Sequence, residues 1–238
     1  MNDVALRFVH VSKSYGGAPT CEDVCLEVRR GECFGLTGEN GAGKTTLLKC
    51  LLDLAEPDTG SIEILGVGHR SAGARAQIAF LPERFNPPYY LSGRDFLRYM
   101  QALHRVPYDE VQAVRTLDAL ELPAAALGRL ARTYSKGMTQ KLGLAACLLS
   151  DKEILILDEP MGGLDPKAHA LLKRELRGLR SAGRTVLLTS HALSDIDELC
   201  DRMAILHQGR IRFAGTPGEL RRAFSASGLE EAFLACIA

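Results

Sequence analysis

GENGAGKT, at residues 38–45, fits the phosphate-binding pattern G-x-x-x-x-G-K-[ST] and follows an apolar run, Cys33 to Leu36, that is typical of a buried strand. A strand that leads through a glycine-rich turn into a helix points several backbone N–H groups at one small volume, together with the positive end of the helix dipole. Lys44 can reach the β and γ phosphates of a nucleotide, and the Thr45 hydroxyl can ligate Mg²⁺. The stretch therefore predicts a polyphosphate site rather than a chance glycine-rich turn.

The composition limits the classes of function. The chain has 238 residues, of which 46% are hydrophobic, so it can form one large domain or a domain with an inserted lobe. Its 29 basic and 29 acidic residues cancel, which leaves no electrostatic footprint of a nucleic-acid binder. No apolar run approaches the length of about 20 residues that spans a bilayer. If the protein works at a membrane, we expect another chain to hold it there.

The seven cysteines are scattered, mostly among apolar neighbours, with no C-x-x-C pair and no secretory leader. This pattern predicts reduced core cysteines in a cytosolic protein. A metal or disulfide role for Cys21 and Cys25 is the less favoured alternative.

Strand-like segments alternate with helical ones along the chain. A helix predicted from Pro166 to about Ala182 lies between two apolar strands, which is the βαβ pattern of a mainly parallel sheet. Residues 85–150 instead open with Asn86-Pro87-Pro88 and then show helical periodicity, so we predict a helical lobe inserted into an α/β core. The tail, 216–238, is predicted to be helical at 217–224 and 229–237. The predicted strands lie at 6–11, 24–28, 33–37, 62–65, 78–81, 154–157, 185–189, 203–206 and 211–214.

A second motif ends the apolar run Ile154 to Leu157 with two carboxylates, Asp158 and Glu159. In a parallel sheet the carboxyl ends of the strands face the ligand crevice, on the same side as a phosphate loop. Asp158 is placed to hold Mg²⁺, and Glu159 to orient or deprotonate an attacking water. The alternative is that both acids only cap the helix that begins near Pro166.

The motif Tyr134-Ser135-Lys136-Gly137-Met138-Thr139-Gln140 resembles the signature sequence of ABC ATPases, usually Leu-Ser-Gly-Gly-Gln. Further matches follow in the family's order: Tyr15 as the adenine-stacking aromatic, Leu81-Pro82-Glu83 at the Q-loop, Gly163-Leu164-Asp165 at the D-loop and Thr189-Ser190-His191 at the switch histidine. The resemblance to an ABC transporter nucleotide-binding subunit covers essentially the whole chain. It implies one ATP-binding domain over 1–238 with a P-loop NTPase α/β fold: a mainly parallel core sheet, an N-terminal antiparallel β subdomain and an inserted helical lobe that carries the signature.

The resemblance also gives roles to individual residues. Glu159 would be the general base, and His191 would contact the γ phosphate; Ser135 and Gly137 would act on the nucleotide of a second subunit. The ligands of Mg²⁺ would be Thr45, Glu83 and Asp158. The residues that would bind ATP are Tyr15, Gly38, Glu39, Asn40, Gly41, Ala42, Gly43, Lys44, Thr45, Thr46, Glu83, Ser135, Gly137 and Asp158.

Some positions depart from the family pattern. Glu83 stands where a neutral Gln is usual, and Lys136 and Met138 replace a Gly and the Gln of the signature. Together these changes resemble the ATPase subunits of exporters whose permease is a separate polypeptide. The implied partners are that permease and a second copy or paralogue of the chain, at the cytoplasmic face of a membrane. The alternatives are a soluble ABC ATPase of translation or DNA repair, or a nucleotide-dependent interaction module that does not hydrolyse ATP.

Overall fold

A computed structural model describes residues 3–238. Within this range the chain forms ten strands and nine α-helices. The strands are β1 (Val4–Tyr15), β2 (Ala18–Arg29), β3 (Cys33–Thr37), β4 (Thr59–Ile64), β5 (Val67–Gly68), β6 (Ile78–Leu81), β7 (Ile154–Asp158), β8 (Thr185–Thr189), β9 (Arg202–His207) and β10 (Arg210–Gly215). The helices are α1 (Lys44–Leu51), α2 (Ala72–Arg75), α3 (Gly93–Leu103), α4 (Glu110–Ala119), α5 (Lys136–Leu148), α6 (Pro166–Ser181), α7 (Leu193–Leu199), α8 (Pro217–Ala223) and α9 (Leu229–Ile237).

A six-stranded sheet forms the centre of the molecule, in the order β10-β9-β3-β8-β7-β6. Every pairing in it is parallel except that between β9 and β10. All residues of β3, β7 and β8 are buried, which is the expected state of parallel strands covered on both faces. The predicted mainly parallel core is confirmed, and the carboxyl ends of β3, β7 and β8 lie side by side.

A second, antiparallel sheet contains the N-terminal strands in the order β2-β1-β4-β5. Its inner face packs on α1 and the central sheet in one apolar cluster that includes Phe8, Phe34, Leu47 and Ile62. The antiparallel β subdomain of the predicted fold class is therefore present. All nine predicted strands are confirmed. Their ends differ from the prediction by up to six residues, most of all at the start of β2, and β5 is the one strand that the periodicity did not indicate.

Helices occupy the chain between β6 and β7. The hydroxyl or carboxylate of Ser92, Asp109 and Ser135 caps α3, α4 and α5, respectively, by accepting backbone N–H groups of the first turn. Apolar residues of these helices pack against the outer strands of the central sheet. The helical character predicted for 85–150 is confirmed, whereas the division of the chain into a core and an inserted subdomain stays a prediction.

The tail packs on the core through buried Leu220, Leu229 and Ala232. Its helices agree with the prediction to within one residue. The cysteine prediction is wrong at one position, because Cys25 is exposed on β2. None of the helices in the described residues is long and apolar enough to span a bilayer.

Candidate functional site

The loop between β3 and α1 is shaped by glycines that no other residue can replace. Gly43 has a φ of 110°, and a Cβ there would lie 2.3 Å from the carbonyl oxygen of Thr20. A Cβ on Gly38 would lie 2.1 Å from the carbonyl oxygen of Leu206. Both distances are far below van der Waals contact, so the backbone of the loop sits directly against β2 and β9. The amides at the start of α1 are left free to face an anion.

Lys44 is held inside this loop. Its Nζ donates hydrogen bonds to the carbonyl oxygens of Gly38, at 2.7 Å, and Glu39, at 3.2 Å, and the residue is 8% exposed. Burial lowers the pKa of Lys44, and the negative charge of Glu159, the strongest of three nearby carboxylates, opposes that shift. The loop therefore places a shielded ammonium beside its amides, where a phosphate would gain most from it.

Asp158 ends β7 and is fixed by two threonines. The hydroxyl of Thr189 donates to Asp158 Oδ1 at 2.6 Å, and that of Thr45 donates to Oδ2 at 3.3 Å. Because β7 and β8 are in register with Asp158 opposite Thr189, the first contact follows from the strand pairing. Asp158 and Thr45 offer oxygen atoms, which Mg²⁺ prefers, and so they fit the predicted metal ligands.

Glu159 and His191 meet directly. His191 Nδ1–H donates to Glu159 Oε2 at 2.8 Å. Glu159 has a φ of 50°, in the left-handed region that few non-glycine residues adopt, and its amide donates to Thr189 Oγ1 at 2.9 Å. The Glu159 side chain is 16% exposed and that of His191 is 72% exposed. Residues in strained backbone conformations are often found at functional sites. Here the strained residue is Glu159, whose carboxylate lines the same cleft as the phosphate loop.

These groups line one cleft of about 1220 Å³ between the central sheet and the helices that carry the signature. Glu83, an exposed residue in the bend after β6, also lines this cleft. The predicted site residues that line the cleft are Gly38, Glu39, Asn40, Gly41, Ala42, Gly43, Lys44, Thr45, Thr46, Glu83, Asp158, Glu159 and His191.

Three predicted residues are not among those that line the cleft. Tyr15 is half-exposed at the end of β1, with the Lys13 ammonium 5.3 Å from its ring centroid. Ser135 caps α5, and Gly137 packs beside the D-loop, where an added Cβ would lie 3.2 Å from the carbonyl oxygen of Gly163. One chain therefore gathers the residues predicted to bind phosphate and metal in one cleft, whereas Ser135 and Gly137 of the signature do not line it.

The site also involves residues to which the sequence analysis assigned no function. Thr189 is buried behind the cleft and ties Asp158 to Glu159, as described above. Its place in the motif that ends at His191 was visible in the sequence, but its hydroxyl contacts were not. Phe233 reaches the cleft from α9, and Gln140 donates to the carbonyl oxygen of Pro160 at 3.2 Å. An apolar tail helix gives no signal in the sequence that it reaches a site 40 or more residues away in the chain.

Comparisons with known proteins show which family the sequence and the fold resemble. The sequence pattern of the family described as "ABC transporter" matches residues 21–162. The chain is similar to Nod factor export ATP-binding protein I of Sinorhizobium fredii, with 38% identity over 230 residues, 92% of this chain and 65% of the relative. It spans about two thirds of the length of the curated relatives that it matches.

Two solved structures give the same fold. A structure of the ATP-binding subunit of an ABC transporter has a TM-score of 0.90 and 31% identity, and the alignment covers 98% of this chain and 99% of the other. A dimeric ATP-binding cassette in a post-hydrolysis state, bound to ADP and Pi, has a TM-score of 0.81 and 21% identity over 89% of this chain and 98% of the other. At that identity the second likeness shows the fold alone.

Proposed function

The chain belongs to the ABC transporter family, and we propose that it is the ATP-hydrolysing subunit of an exporter whose membrane permease is a separate polypeptide. The observation that carries this proposal is the convergence of Lys44, Asp158, Glu159 and His191 on one cleft beside the glycine-rich loop. The export function in the names of similar proteins supports the direction of transport. The subunit would work at the cytoplasmic face of the membrane, held there by the permease.

Binding of ATP would begin at the loop. The amides of residues 38–45 and the start of α1 would surround the β and γ phosphates, with Lys44 turning from the carbonyls of Gly38 and Glu39 to the phosphate oxygens. The exchange would be favourable because two neutral acceptors are replaced by charged ones, which form stronger hydrogen bonds with an ammonium. Thr46, the next residue of α1, would reach the α phosphate.

The oxygen atoms of Thr45 and Asp158 would hold Mg²⁺. An ion held there would supply positive charge against the charge that develops on the phosphate oxygens. Thr189 donates to Asp158 Oδ1 and Thr45 donates to Oδ2 at 3.3 Å, so the two predicted ligands are in direct contact. Glu83 brings a further carboxylate to this side of the cleft, in place of the neutral Gln of the family.

Hydrolysis would use Glu159 as general base. Its carboxylate would take the proton of a water that attacks the γ phosphorus, and the hydrogen bond from His191 would keep the carboxylate in position. His191 is exposed enough to contact the γ phosphate as well. A general base of this kind contributes on the order of 10²–10⁴ in rate.

A second subunit would complete the site. Ser135 and Gly137 lie outside their own cleft, on the surface beside the D-loop, which supports contact with the nucleotide of a partner in a head-to-tail dimer. A structural neighbour of the same fold is also dimeric, which is consistent with a dimer. ATP would then close two chains on each other, and hydrolysis would let them reopen.

The test of hydrolysis is phosphate release by the purified chain. Glu159→Gln is expected to lower the Mg²⁺-dependent rate by about 10²-fold or more while ATP still binds. Glu153→Gln is the matched control, because Glu153 lies at the opposite end of β7 and pairs with Arg30. An unchanged rate in Glu159→Gln, or an equal loss in the control, would remove Glu159 from this role.

The permease would dock on the segment Phe85 to Leu91. Phe85 packs on Phe96, with ring centroids 5.6 Å apart, so this residue is part of the internal packing of the lobe. Tyr89 and Tyr90 are 68% and 65% exposed and stack edge-on at 5.4 Å, which leaves their outer faces free for a partner.

We expect replacement of both by Ser to abolish capture of the permease without a change in basal ATPase or melting temperature. Tyr99→Ser, at another exposed tyrosine of the lobe, is the control; loss of basal ATPase in the double variant would instead assign the pair to internal packing.

A further inference from the structure

Three potential metal ligands converge on the outer face of the antiparallel sheet, apart from the nucleotide cleft. They are His10 on β1 and Asp23 and Cys25 on β2, and one ligand atom from each lies within 4.8 Å of the other two. All three side chains are exposed, and none lines the cleft that holds the phosphate loop. In the nucleotide-binding function proposed above they have no role.

A β-bulge brings His10 to this face. Along β1, Leu6, Phe8 and Val11 are buried, and His10 would join them if the strand alternated without interruption. Phe8 pairs with Leu26 and Val11 pairs with Val24. Between these two pairs β1 advances by three residues and β2 by two, so β1 contains one extra residue. His10 takes a φ of 51° at this point and turns outward.

The other two ligands are brought together by the pleat of β2. Asp23 and Cys25 are two residues apart and share the outer face, while Val24 and Leu26 point inward. His10 lies across from them, and its backbone amide donates to Cys25 Sγ at 3.3 Å. Asp23 also departs from regular strand geometry, with a φ of 54°, and its amide donates to Ser12 Oγ at 3.0 Å. The backbone therefore fixes the three Cα positions before any ion binds.

The contacts favour an ion over a catalytic thiol. Asp23 Oδ1 lies 2.7 Å from His10 Nδ1, and Cys25 Sγ lies 3.6 Å from the same nitrogen. In a Cys-His-Asp relay, the carboxylate and the thiol contact opposite nitrogens of the ring, so that one orients the histidine while the other gives up its proton. Here the Asp23 carboxylate and the Cys25 thiol both lie near His10 Nδ1. Three ligand atoms that face one another in this way are arranged as ligands around a shared ion.

The distances suit a tetrahedral Zn²⁺ site. With Zn–N of about 2.0–2.1 Å and Zn–S of about 2.3 Å, tetrahedral angles place N and S about 3.6 Å apart, which agrees with the His10–Cys25 separation. The same angles place N and O about 3.4 Å apart, so Asp23 would withdraw by about 0.7 Å from its hydrogen bond with His10. Side chains that are 65–70% exposed can make that move without repacking.

We propose that His10, Asp23 and Cys25 bind one Zn²⁺, with water in the fourth position. A thiolate and a carboxylate together balance the charge of the ion, and the neutral imidazole adds the borderline-soft nitrogen that Zn²⁺ favours. The proposed site lies apart from the ATP cleft. Because its ligands come from both strands, bound Zn²⁺ would stabilise the observed pairing register of β1 and β2.

The experiment is metal titration of the tag-free full-length chain, stripped with a chelator and kept reduced by a non-thiol reductant. Excess Mg²⁺ is present so that the oxygen ligands of the nucleotide cleft do not compete for Zn²⁺. One Zn²⁺ per chain is expected. Co²⁺ at the same site is expected to produce a thiolate-to-metal charge-transfer band, which only a cysteine ligand gives.

His10→Gln and Cys25→Ser are each expected to weaken zinc binding by more than about 10-fold, since loss of even an outer-shell group costs that much. Asp23→Asn keeps the shape of the side chain and is expected to weaken it as well. Cys236→Ser, at a partly exposed cysteine on α9, is the matched control and should change neither stoichiometry nor the cobalt band. Circular dichroism verifies that each variant is folded. Absence of stoichiometric binding, or a cobalt band that persists in Cys25→Ser, would overturn the proposal.

Discussion

Replacement of Thr189 by Val removes one hydroxyl at the centre of the candidate site and keeps the shape of the side chain. That hydroxyl is fully buried, donates to Asp158 Oδ1 at 2.6 Å and accepts the amide of Glu159 at 2.9 Å. Among residues 3–238, no other group links the two acidic residues in this way. Valine would leave Asp158 with one donor fewer and the Glu159 amide without an acceptor.

The cost follows from those two contacts. A hydrogen bond to a charged group contributes about 1.5–3 kcal/mol, and a buried amide left without an acceptor costs about 1–3 kcal/mol. We expect a net loss of about 3 kcal/mol in the free energy of unfolding, because the β-branched valine fits the strand. For a chain of this size that corresponds to about 6–12 °C in melting temperature. Because Thr189 orients a predicted Mg²⁺ ligand, the ATPase rate should also fall, by about 10–100-fold.

Thr185→Val is the control for this experiment. Thr185 is on the same strand and is also fully buried, and its hydroxyl accepts the amide of Gly31 at 3.0 Å, at the end of β8 away from the acids. Its loss should cost about 1–2 kcal/mol and leave the ATPase rate per folded molecule unchanged. Thermal melts and phosphate release measured on both variants, with Thr189→Ser as the rescue, separate stability from function. A Thr189→Val protein with normal turnover, or a Thr185→Val protein with the same catalytic loss, would refute the reasoning.

Two further predictions test the loop and the helical lobe. Gly43→Ala forces a Cβ to 2.3 Å from the Thr20 carbonyl oxygen and is expected to abolish binding of a fluorescent ATP analogue. Gly17→Ala, at a φ of 83° but in open space, is the control and should retain binding. Equal affinity in both variants would argue against the tight loop. In the lobe, hydrogen bonds from Arg94 lower the pKa of Glu110. The stabilisation that ionised Glu110 gives to the folded chain is therefore present above the ordinary glutamate pKa of about 4.3. It is lost as the pH falls through the lower pKa that Glu110 has in the folded state. Urea unfolding should find Glu110→Gln less stable than the parent chain at neutral pH and equal to it in strong acid; a difference that persists in acid would contradict this.

The parts of the site that the sequence predicted are those encoded by neighbouring residues. The glycines and Lys44 of the phosphate loop act through backbone shape and lie within eight residues of each other, so their spacing alone specifies the geometry. Asp158 and Glu159 were predictable for a related reason, since two acids that end an apolar strand lie at the carboxyl end of a parallel sheet, where the ligand crevice opens. The strands themselves followed from short apolar runs bounded by turn residues.

Contacts between distant segments could not be predicted in the same way. Thr189 acts on Asp158 only because β7 and β8 pair in one particular register, and a shift of two residues would put another side chain in its place. Phe233 reaches the cleft because of how α9 docks on α7, and its apolar neighbours in the sequence are equally consistent with simple packing. Both depend on tertiary alignment, about which the spacing of residues along the chain carries no information.

The error at Cys25 comes from its apolar neighbours in the sequence, which suggest a cysteine of the core. Alternation along β2 in fact places Cys25 on the face opposite Val24 and Leu26, where it is exposed. Alternation along β1 would in turn bury His10 with Leu6 and Phe8. The bulge between Phe8 and Val11 inverts the side on which His10 lies, and with it the surroundings of Cys25. If β1 kept its regular alternation through Val9, His10 would lie on the inner face, and Cys25 would remain on the outer face beside Asp23 without a histidine; the proposed zinc site therefore depends on the bulge between Phe8 and Val11.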